Sequence, residues 1–278
     1  MSVFKAGNTA LITGGASGIG LAVAQLCLKH SMRVAIVDRN TDTLSRAKET
    51  LSSSDVETYE VDVSKSSEWK TLRESVVKKF GPVDFLMLNA GIGVKGTWGD
   101  EDHFAKIMET NLFGVINGLN AFVPEFQKKS GDKPSSIVIT GSKQGITNPP
   151  GSAAYNASKS AVKTLAEHLS FDLKDTATSV HLLVPGWTFT GLSGNAPGST
   201  ATKPAGAWES SQVADYMYQN ISDGKFYIIC PDNDVTEETD KKRMLWTAGD
   251  LVYGRPPLTR WRPEFKEEAE EWMKKQNV

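Results

Sequence analysis

The sequence predicts a doubly wound α/β fold, with a parallel sheet of about seven strands and helices on both faces. Three observations carry this. Short β-branched apolar runs alternate with longer stretches of helical period over most of the 278 residues. The runs are continuous rather than alternating, which is the pattern of strands buried on both faces. A Gly-rich turn stands between the first run and the first helical stretch, where such sheets bind their ligands. The expected class is therefore α/β, of the Rossmann-like kind.

In chain order, Thr9–Thr13 reads as a buried strand, Gly14–Gly20 as a turn and Ile19–His30 as a helix. Arg33–Val37 is the second strand, Thr41–Ser52 a helix and Val56–Glu60 the third strand. Ser66–Phe80 places Trp69, Leu72, Val76 and Val77 at helical spacing, and Val83–Leu88 is a strand bounded by Pro82 and Asn89. Two helical patterns follow, over 101–110 and 112–128. Ser136–Thr140 is a strand, Ser152–Asp175 a long helix, and Ser179–Val184 a strand closed by Pro185-Gly186. Glu209–Ile221 is helical and Phe226–Cys230 is the last strand. Residues 187–208 (WTFTGLSGNAPGSTATKPAGAW) read as a long loop, and long loops in compact domains are usually functional or disordered. After Cys230 comes an acidic linker, PDNDVTEETD, then a tail with Trp246, Trp261 and Trp272, dense enough in aromatics to favour docking against a surface.

Composition narrows the function classes. Lys and Arg total 31 against 33 Asp and Glu, a net charge of −2, which argues against nucleic acid as the main partner. No apolar run reaches the roughly 18–20 residues of a membrane span, so no membrane partner is expected. Met1 to Gly15 has no continuous apolar segment of the secretory kind. The two cysteines, Cys27 and Cys230, lie in apolar stretches and are expected to be buried, reduced and structural. A cytoplasmic location is the expectation. No metal-ligand cluster is visible, and His103, His168 and His181 have no motif around them.

Three signals carry chemistry. In Thr13–Gly20 (TGGASGIG), glycines allow a tight turn and let backbone N–H groups approach a pyrophosphate at a helix N-terminus. Asp38 ends the second strand, 18 residues after Gly20, where a carboxylate accepts from an adenosine ribose diol and repels a 2′-phosphate. That favours NAD, while Arg39, able to pair with such a phosphate, keeps NADP open. Tyr155 and Lys159 lie one helical turn apart. A neighbouring ammonium favours the phenolate and lowers the phenol's pKa, which suits proton exchange with an alcohol or carbonyl oxygen. Ser142 lies 13 residues before Tyr155, with a hydroxyl that can bond the same oxygen.

Thr13–Gly20, Asp62-Val63, Asn89-Ala90-Gly91, Asn111, Ser142, Tyr155/Lys159 and Pro185-Gly186 occur in the order of the short-chain dehydrogenase/reductase family, and over about residues 5–230 the chain resembles its classical subfamily. The resemblance implies that Tyr155 is the general acid/base. Lys159 would lower its pKa and bind the nicotinamide ribose, Ser142 would polarise the substrate oxygen, and Asn111 would hold a water linking Lys159 to solvent. Gly14, Ser17, Gly18, Ile19 and Gly20 would surround the pyrophosphate, and Asp62 and Val63 would flank adenine. Asn89, Ala90 and Gly91 would line the cofactor floor, with Thr188 and Thr190, after Pro185 and Gly186, meeting the carboxamide. It also implies a homodimer or homotetramer with the 152–175 and 112–128 helices at the interface; Ala157 and Ala161 permit close helix approach, either there or in packing within the chain.

The expected activity is NAD(H)-dependent interconversion of a secondary alcohol and a ketone, on a substrate that the Trp and Phe content makes apolar, cyclic or aromatic. The alternative is a non-catalytic NAD-binding regulator or scaffold of the same fold. An epimerase or dehydratase fits less well, because the larger C-terminal substrate domain is absent. The expected organisation is one domain over 1–278, with 188–208 as a substrate lid and 231–278 as a C-terminal extension that alters the assembly surface or covers the active-site mouth through Arg255-Pro256-Pro257-Leu258 and Trp261. Lys143 and Gln144, directly after Ser142, are placed to contact a polar or acidic substrate group, with solvation at the rim the favoured reading for Lys143; Trp187 is expected to face cofactor or substrate, and Trp98 either to form an aromatic wall or to lie beneath a helix.

Overall fold

A computed structural model describes residues 2–129, 133–193 and 200–278. The elements are β1 (Thr9–Thr13), α1 (Gly18–Lys29), β2 (Arg33–Asp38), α2 (Thr41–Leu51), β3 (Val56–Glu60), α3 (Ser66–Phe80) and β4 (Phe85–Leu88), followed by α4 (Glu101–Met108), a π-helical turn (Glu109–Phe113) and α5 (Gly114–Phe126). Then come β5 (Ser135–Thr140), α6 (Gln144–Thr147), α7 (Ala153–Asp172), β6 (Thr178–Val184), α8 (Ser210–Ser222), β7 (Tyr227–Ile229), α9 (Glu237–Val252) and α10 (Lys266–Lys274).

The strands form one parallel seven-stranded sheet in the order β3-β2-β1-β4-β5-β6-β7. The order reverses between β1 and β4, which opens a crevice at the C-terminal ends of these strands. The continuous apolar runs are explained by two cores. Ala10, Ile12, Val34, Ile36 and Met87 face α1, α2 and α8 on one side. Their immediate neighbours Leu11, Ala35, Val37, Leu86 and Leu88 face α3, α5 and α7 on the other. Side chains alternate across a strand, so a strand covered on both faces must be apolar at every position. Cys27 and Cys230 are both buried and unpaired, and burial pushes both thiols up.

Two stretches differ from the sequence reading. The patterns over 101–110 and 112–128 form one helical rod, α4 to α5, joined through the π turn at Glu109–Phe113. The wide turn holds the fully buried Asn111, whose Oδ1 accepts from the Ile92 N–H at 2.8 Å and whose Nδ2 donates to the Ile92 carbonyl at 3.0 Å. The acidic stretch 231–240 is not a linker. Thr236 caps α9 by accepting from the Thr239 N–H at 3.1 Å, and Asp240 is buried.

The tail folds around Trp246. Its indole N–H donates to the Thr259 hydroxyl at 2.9 Å, Trp272 meets it edge-on at 5.5 Å, and the Arg255 guanidinium lies 3.7 Å over its ring. Asp250 accepts from the Thr259 N–H and pairs with Arg255 at 3.0 Å. Among the described residues, no helix is long and apolar enough to cross a membrane.

Candidate active site

A cleft of about 800 Å³ occupies the crevice at the strand ends. It brings together every residue singled out as a site candidate except Gly20 and Asn111. Those two shape the cleft from behind. A Cβ on Gly20 would collide with the Gly14 carbonyl, so only glycine lets the helix start against the turn. Gly14 has φ +61° and a Cβ there would stand 3.0 Å from Ala90 Cα, so that close approach also demands glycine. The cleft therefore meets the bare N-terminus of α1, which has no acidic residue in its first turn. Free N–H groups and the positive end of the helix dipole suit a pyrophosphate there.

The floor is tied to the sheet by residues that the sequence reading did not single out for it. The Thr13 hydroxyl accepts from the N–H groups of Asn89 at 2.9 Å and Ala90 at 3.1 Å. Asn89 Nδ2 donates to the Thr13 carbonyl at 3.2 Å, and its Oδ1 accepts from the Thr140 hydroxyl at 3.1 Å. At the far end of the cleft, Asp38 Oδ1 accepts from the Asn40 N–H at 3.3 Å, and Arg39 is exposed beside it. Burial would raise the Asp62 carboxyl, but the Ser64 hydroxyl and N–H, with Lys65 and Arg39 nearby, bring it below its ordinary value.

Ser142, Tyr155 and Lys159 converge on one wall. Ser142 follows β5, and its hydroxyl accepts from the Gln144 N–H at 3.2 Å. Tyr155 and Lys159 share one face of α7, with Lys159 Nζ 5.8 Å from the Tyr155 ring centre. Lys159 is buried and donates to the Thr140 carbonyl at 2.8 Å. Burial pushes Lys159 down to about 8. Burial also raises Tyr155 above its ordinary value, and the hydrogen bond with Ser142 opposes this. The sequence reading expected a lowered phenol. Desolvation of the phenolate decides the sign here. Asn111 Nδ2 reaches the Ser158 hydroxyl at 3.3 Å, which links the π turn to α7.

The largest departure concerns Lys143. It is not solvated at the rim: its side chain is 15% exposed and pairs with Asp232 at 3.3 Å and Asp240 at 2.5 Å. Asp232 also accepts from the Trp187 N–H at 3.0 Å and from the Asp234 and Val235 N–H groups. Burial would raise Asp232, but these N–H groups and Lys143 hold it below its ordinary value. One carboxylate thus ties the segment after Ser142, the segment after Gly186 and the start of the tail together. The tail meets the site through this tie, and Arg255, Pro256, Pro257, Leu258 and Trp261 are absent from the cleft's lining.

Trp187 lines the cleft, as do Ile92, Gly93, Leu192 and Ser193. The signal for these was adjacency to the Asn89-Ala90-Gly91 and Pro185-Gly186 motifs. Trp98 lies outside the lining, 76% exposed and 4.9 Å from Phe104. The 188–208 loop is pinned at its base, where the Phe189 N–H donates to the Trp208 carbonyl at 2.9 Å and the Trp208 N–H to the Trp187 carbonyl at 2.9 Å. Its residues 194–199 lie outside the described residues. Among the described residues, no group of His, Cys, Asp and Glu is arranged to hold a metal ion.

Comparison with known proteins places this geometry. The family model for short chain dehydrogenases matches residues 8–199. An NADP-dependent (R)-specific alcohol dehydrogenase from Lentilactobacillus kefiri is 32% identical over 191 residues, covering 67% of this chain and 75% of that one. A 3beta-hydroxysteroid dehydrogenase from Eggerthella lenta is 32% identical over 192 residues, covering 67% and 73%. Among solved structures, a short chain dehydrogenase/reductase from Burkholderia phymatum in complex with NAD superposes with a TM-score of 0.80 at 26% identity, over 92% of this chain and 98% of that one. LigO from Sphingobium, at 23% identity and a TM-score of 0.75, shares the fold over 100% of both chains, tail included.

Proposed function

The chain belongs to the short-chain dehydrogenase family and is an oxidoreductase of that family, and on this premise we propose that it interconverts a secondary alcohol and a ketone with NAD(H). The observation that carries the reading is the placement of Ser142, Tyr155 and Lys159 on the wall of the same cleft that the Gly-rich turn and Asp38 enter. The nicotinamide, when bound, supplies the hydride acceptor or donor. The residues around it fit such a group: a glycine cradle, a helix N-terminus for the phosphates and a carboxylate at the ribose end.

Tyr155 exchanges the proton with the substrate oxygen, and Ser142 donates a hydrogen bond to that oxygen as charge develops. Lys159, held by the Thr140 carbonyl, stands behind Tyr155 to favour the phenolate and to bond the nicotinamide ribose. Asn111 orders a water on the path from Lys159 to solvent. Gly14, Ser17, Gly18 and Ile19 hold the pyrophosphate, Asp38 the adenosine ribose, Asp62 and Val63 the adenine, and Thr188 and Thr190 the carboxamide. Asp38 supports NAD over NADP, with Arg39 as the opposing charge. Ile92, Trp187 and Leu192 support an apolar substrate, because they give its end of the cleft non-polar walls. Association into a dimer or tetramer is part of the proposal, through the face of α7 that carries the exposed Ala157 and Phe171.

The test is a panel of secondary alcohols and ketones with NAD and with NADP, read by nicotinamide absorbance. Turnover with NAD, lost in Tyr155→Phe, supports the proposal. Tight NADH binding without turnover of any substrate would favour a cofactor-binding regulator instead.

A further inference from the structure

The tail segregates its charges. Of the nine Lys and Arg in residues 231–278, six line one pocket of about 860 Å³: Lys242, Arg243, Arg260, Arg262, Lys266 and Lys274. Of the eleven Asp and Glu in the same stretch, only Glu270 lines it. The tail as a whole is slightly acidic, so this concentration comes from the way α9, the 259–265 segment and α10 fold together. No residue lining this pocket lines the catalytic cleft.

Neutralisation of these cations is incomplete. Lys242 pairs with Glu238 at 2.7 Å, and Arg262 approaches Glu264 at 3.9 Å. Arg243 reaches Asp240 at 3.5 Å, but that carboxylate already serves Lys143. Arg260, Lys266 and Lys274 have no carboxylate within ion-pair distance among the described residues, and the Arg260 guanidinium rests 4.7 Å from the Trp261 ring centre. Burial, then the like charge of Arg243, pushes Arg260 down to about 10, with Asp240 opposing. A half-buried guanidinium beside a second one, with a shared counter-ion, is an arrangement that a bound anion relaxes.

We propose that this pocket binds a small organic anion carrying two or more phosphate or carboxylate charges, gripped by Arg243 and Arg260 and flanked by Lys266 and Lys274. Two guanidinium forks match such groups bidentately. Trp261 and Met273 line the same pocket and offer apolar surface to the rest of the molecule. The volume is that of a small-molecule site and exceeds what a single inorganic ion fills.

Calorimetric titration of the full chain with pyrophosphate, and separately with citrate, tests this and tells phosphate from carboxylate recognition. Saturable binding of at least one is expected, weakening as salt is raised. Arg260→Ala and the exposed Lys266→Glu should each weaken it by about tenfold or more, the scale of a lost charge-assisted hydrogen bond. Lys241→Ala, a cation outside the pocket, should leave it unchanged. Absence of saturable binding overturns the proposal. Binding unaffected by both pocket variants also overturns it, since the anion then sits elsewhere, for example at the Gly-rich turn. Dissociation of an oligomer on Lys266→Glu, seen by light scattering without added anion, would make the pocket an interface between copies and overturn it as well. None of these outcomes depends on turnover, so the proposal and the assigned reaction fail independently.

Discussion

Lys143→Met is the most informative single change outside the wall formed by Ser142, Tyr155 and Lys159. It removes the ammonium that two buried carboxylates share, Asp232 at 6% and Asp240 at 2% side-chain exposure. Removing one partner of a buried pair costs about 3–5 kcal/mol, because the remaining charge is left uncompensated. Here both carboxylates keep other partners. Asp232 retains N–H donors from Trp187, Asp234 and Val235, and Asp240 retains Arg243 at 3.5 Å. The expected loss therefore lies at the low end, about 3 kcal/mol. With ~2.1 cal/mol/K of unfolding entropy per residue, a chain of this size has about 0.6 kcal/mol/K, so the Tm should fall by about 5 °C.

The assay is thermal and urea unfolding of the wild type and Lys143→Met, with Lys143→Met/Asp240→Asn as a third protein. The double variant leaves one fewer buried charge and should recover part of the loss. The pH dependence has a fixed sign. The folded Asp232 carboxyl lies below its ordinary value of 3.8, so its contribution is present above that value and disappears as pH falls through the folded value. The gap between wild type and Lys143→Met should therefore narrow as pH drops below 3.8. A Lys143→Met protein that melts within about 1 °C of the wild type at neutral pH would refute the reasoning, since that corresponds to well under 1 kcal/mol.

Other expectations follow from the same contacts. Tyr155→Phe should lower kcat by about 10²–10⁴-fold while NADH affinity, read by fluorescence titration, stays within a few-fold; unchanged turnover would exclude Tyr155 as the proton donor. Gly20→Ala should cost about 1–3 kcal/mol in urea and weaken dinucleotide binding, because its Cβ meets a backbone carbonyl that cannot swing aside. Asp38→Ser should move the kcat/KM ratio toward NADP by about tenfold or more, through loss of like-charge repulsion and of the diol acceptor. Lys159 sits at about 8 when folded against 10.5 otherwise, so the unfolded chain binds more protons between those values. Its contribution to stability should rise with pH across that window, and urea midpoints of Lys159→Met should lack this rise.

What was legible in the sequence was local. TALIT, RVAIVD and SSIVIT announce themselves as strands because both faces of each are covered and every buried position is apolar or small, the charged Arg33 and Asp38 standing at the partly exposed ends of the second. The glycine turn is legible because Gly14 and Gly20 answer constraints set within a few residues. The Tyr155/Lys159 pair is legible because one helical turn fixes their shared face. The floor was only half legible: Asn89 belonged to a readable motif, but the Thr13 and Thr140 hydroxyls that orient it come from β1 and β5. The continuous rod through Asn111 reads as two helices in the sequence, since the extra residue of a π turn shifts the helical phase there.

The sequence by itself determined the strands, their two apolar faces, the glycine turn and the shared face of Tyr155 and Lys159, because each rests on periodicity or on residues within about a turn of one another. Only the tertiary structure decided the roles of Lys143, Asp232 and Asp240. Their pairing spans 89 residues from Lys143 to Asp232, and the acidic run that contains both carboxylates has the composition of a solvated linker. Burial turned those charges into a tie between the tail and the segment after Ser142, and it set the signs of the Tyr155 and Lys159 shifts. Desolvation is a property of everything packed around a group, and no spacing along the chain encodes it.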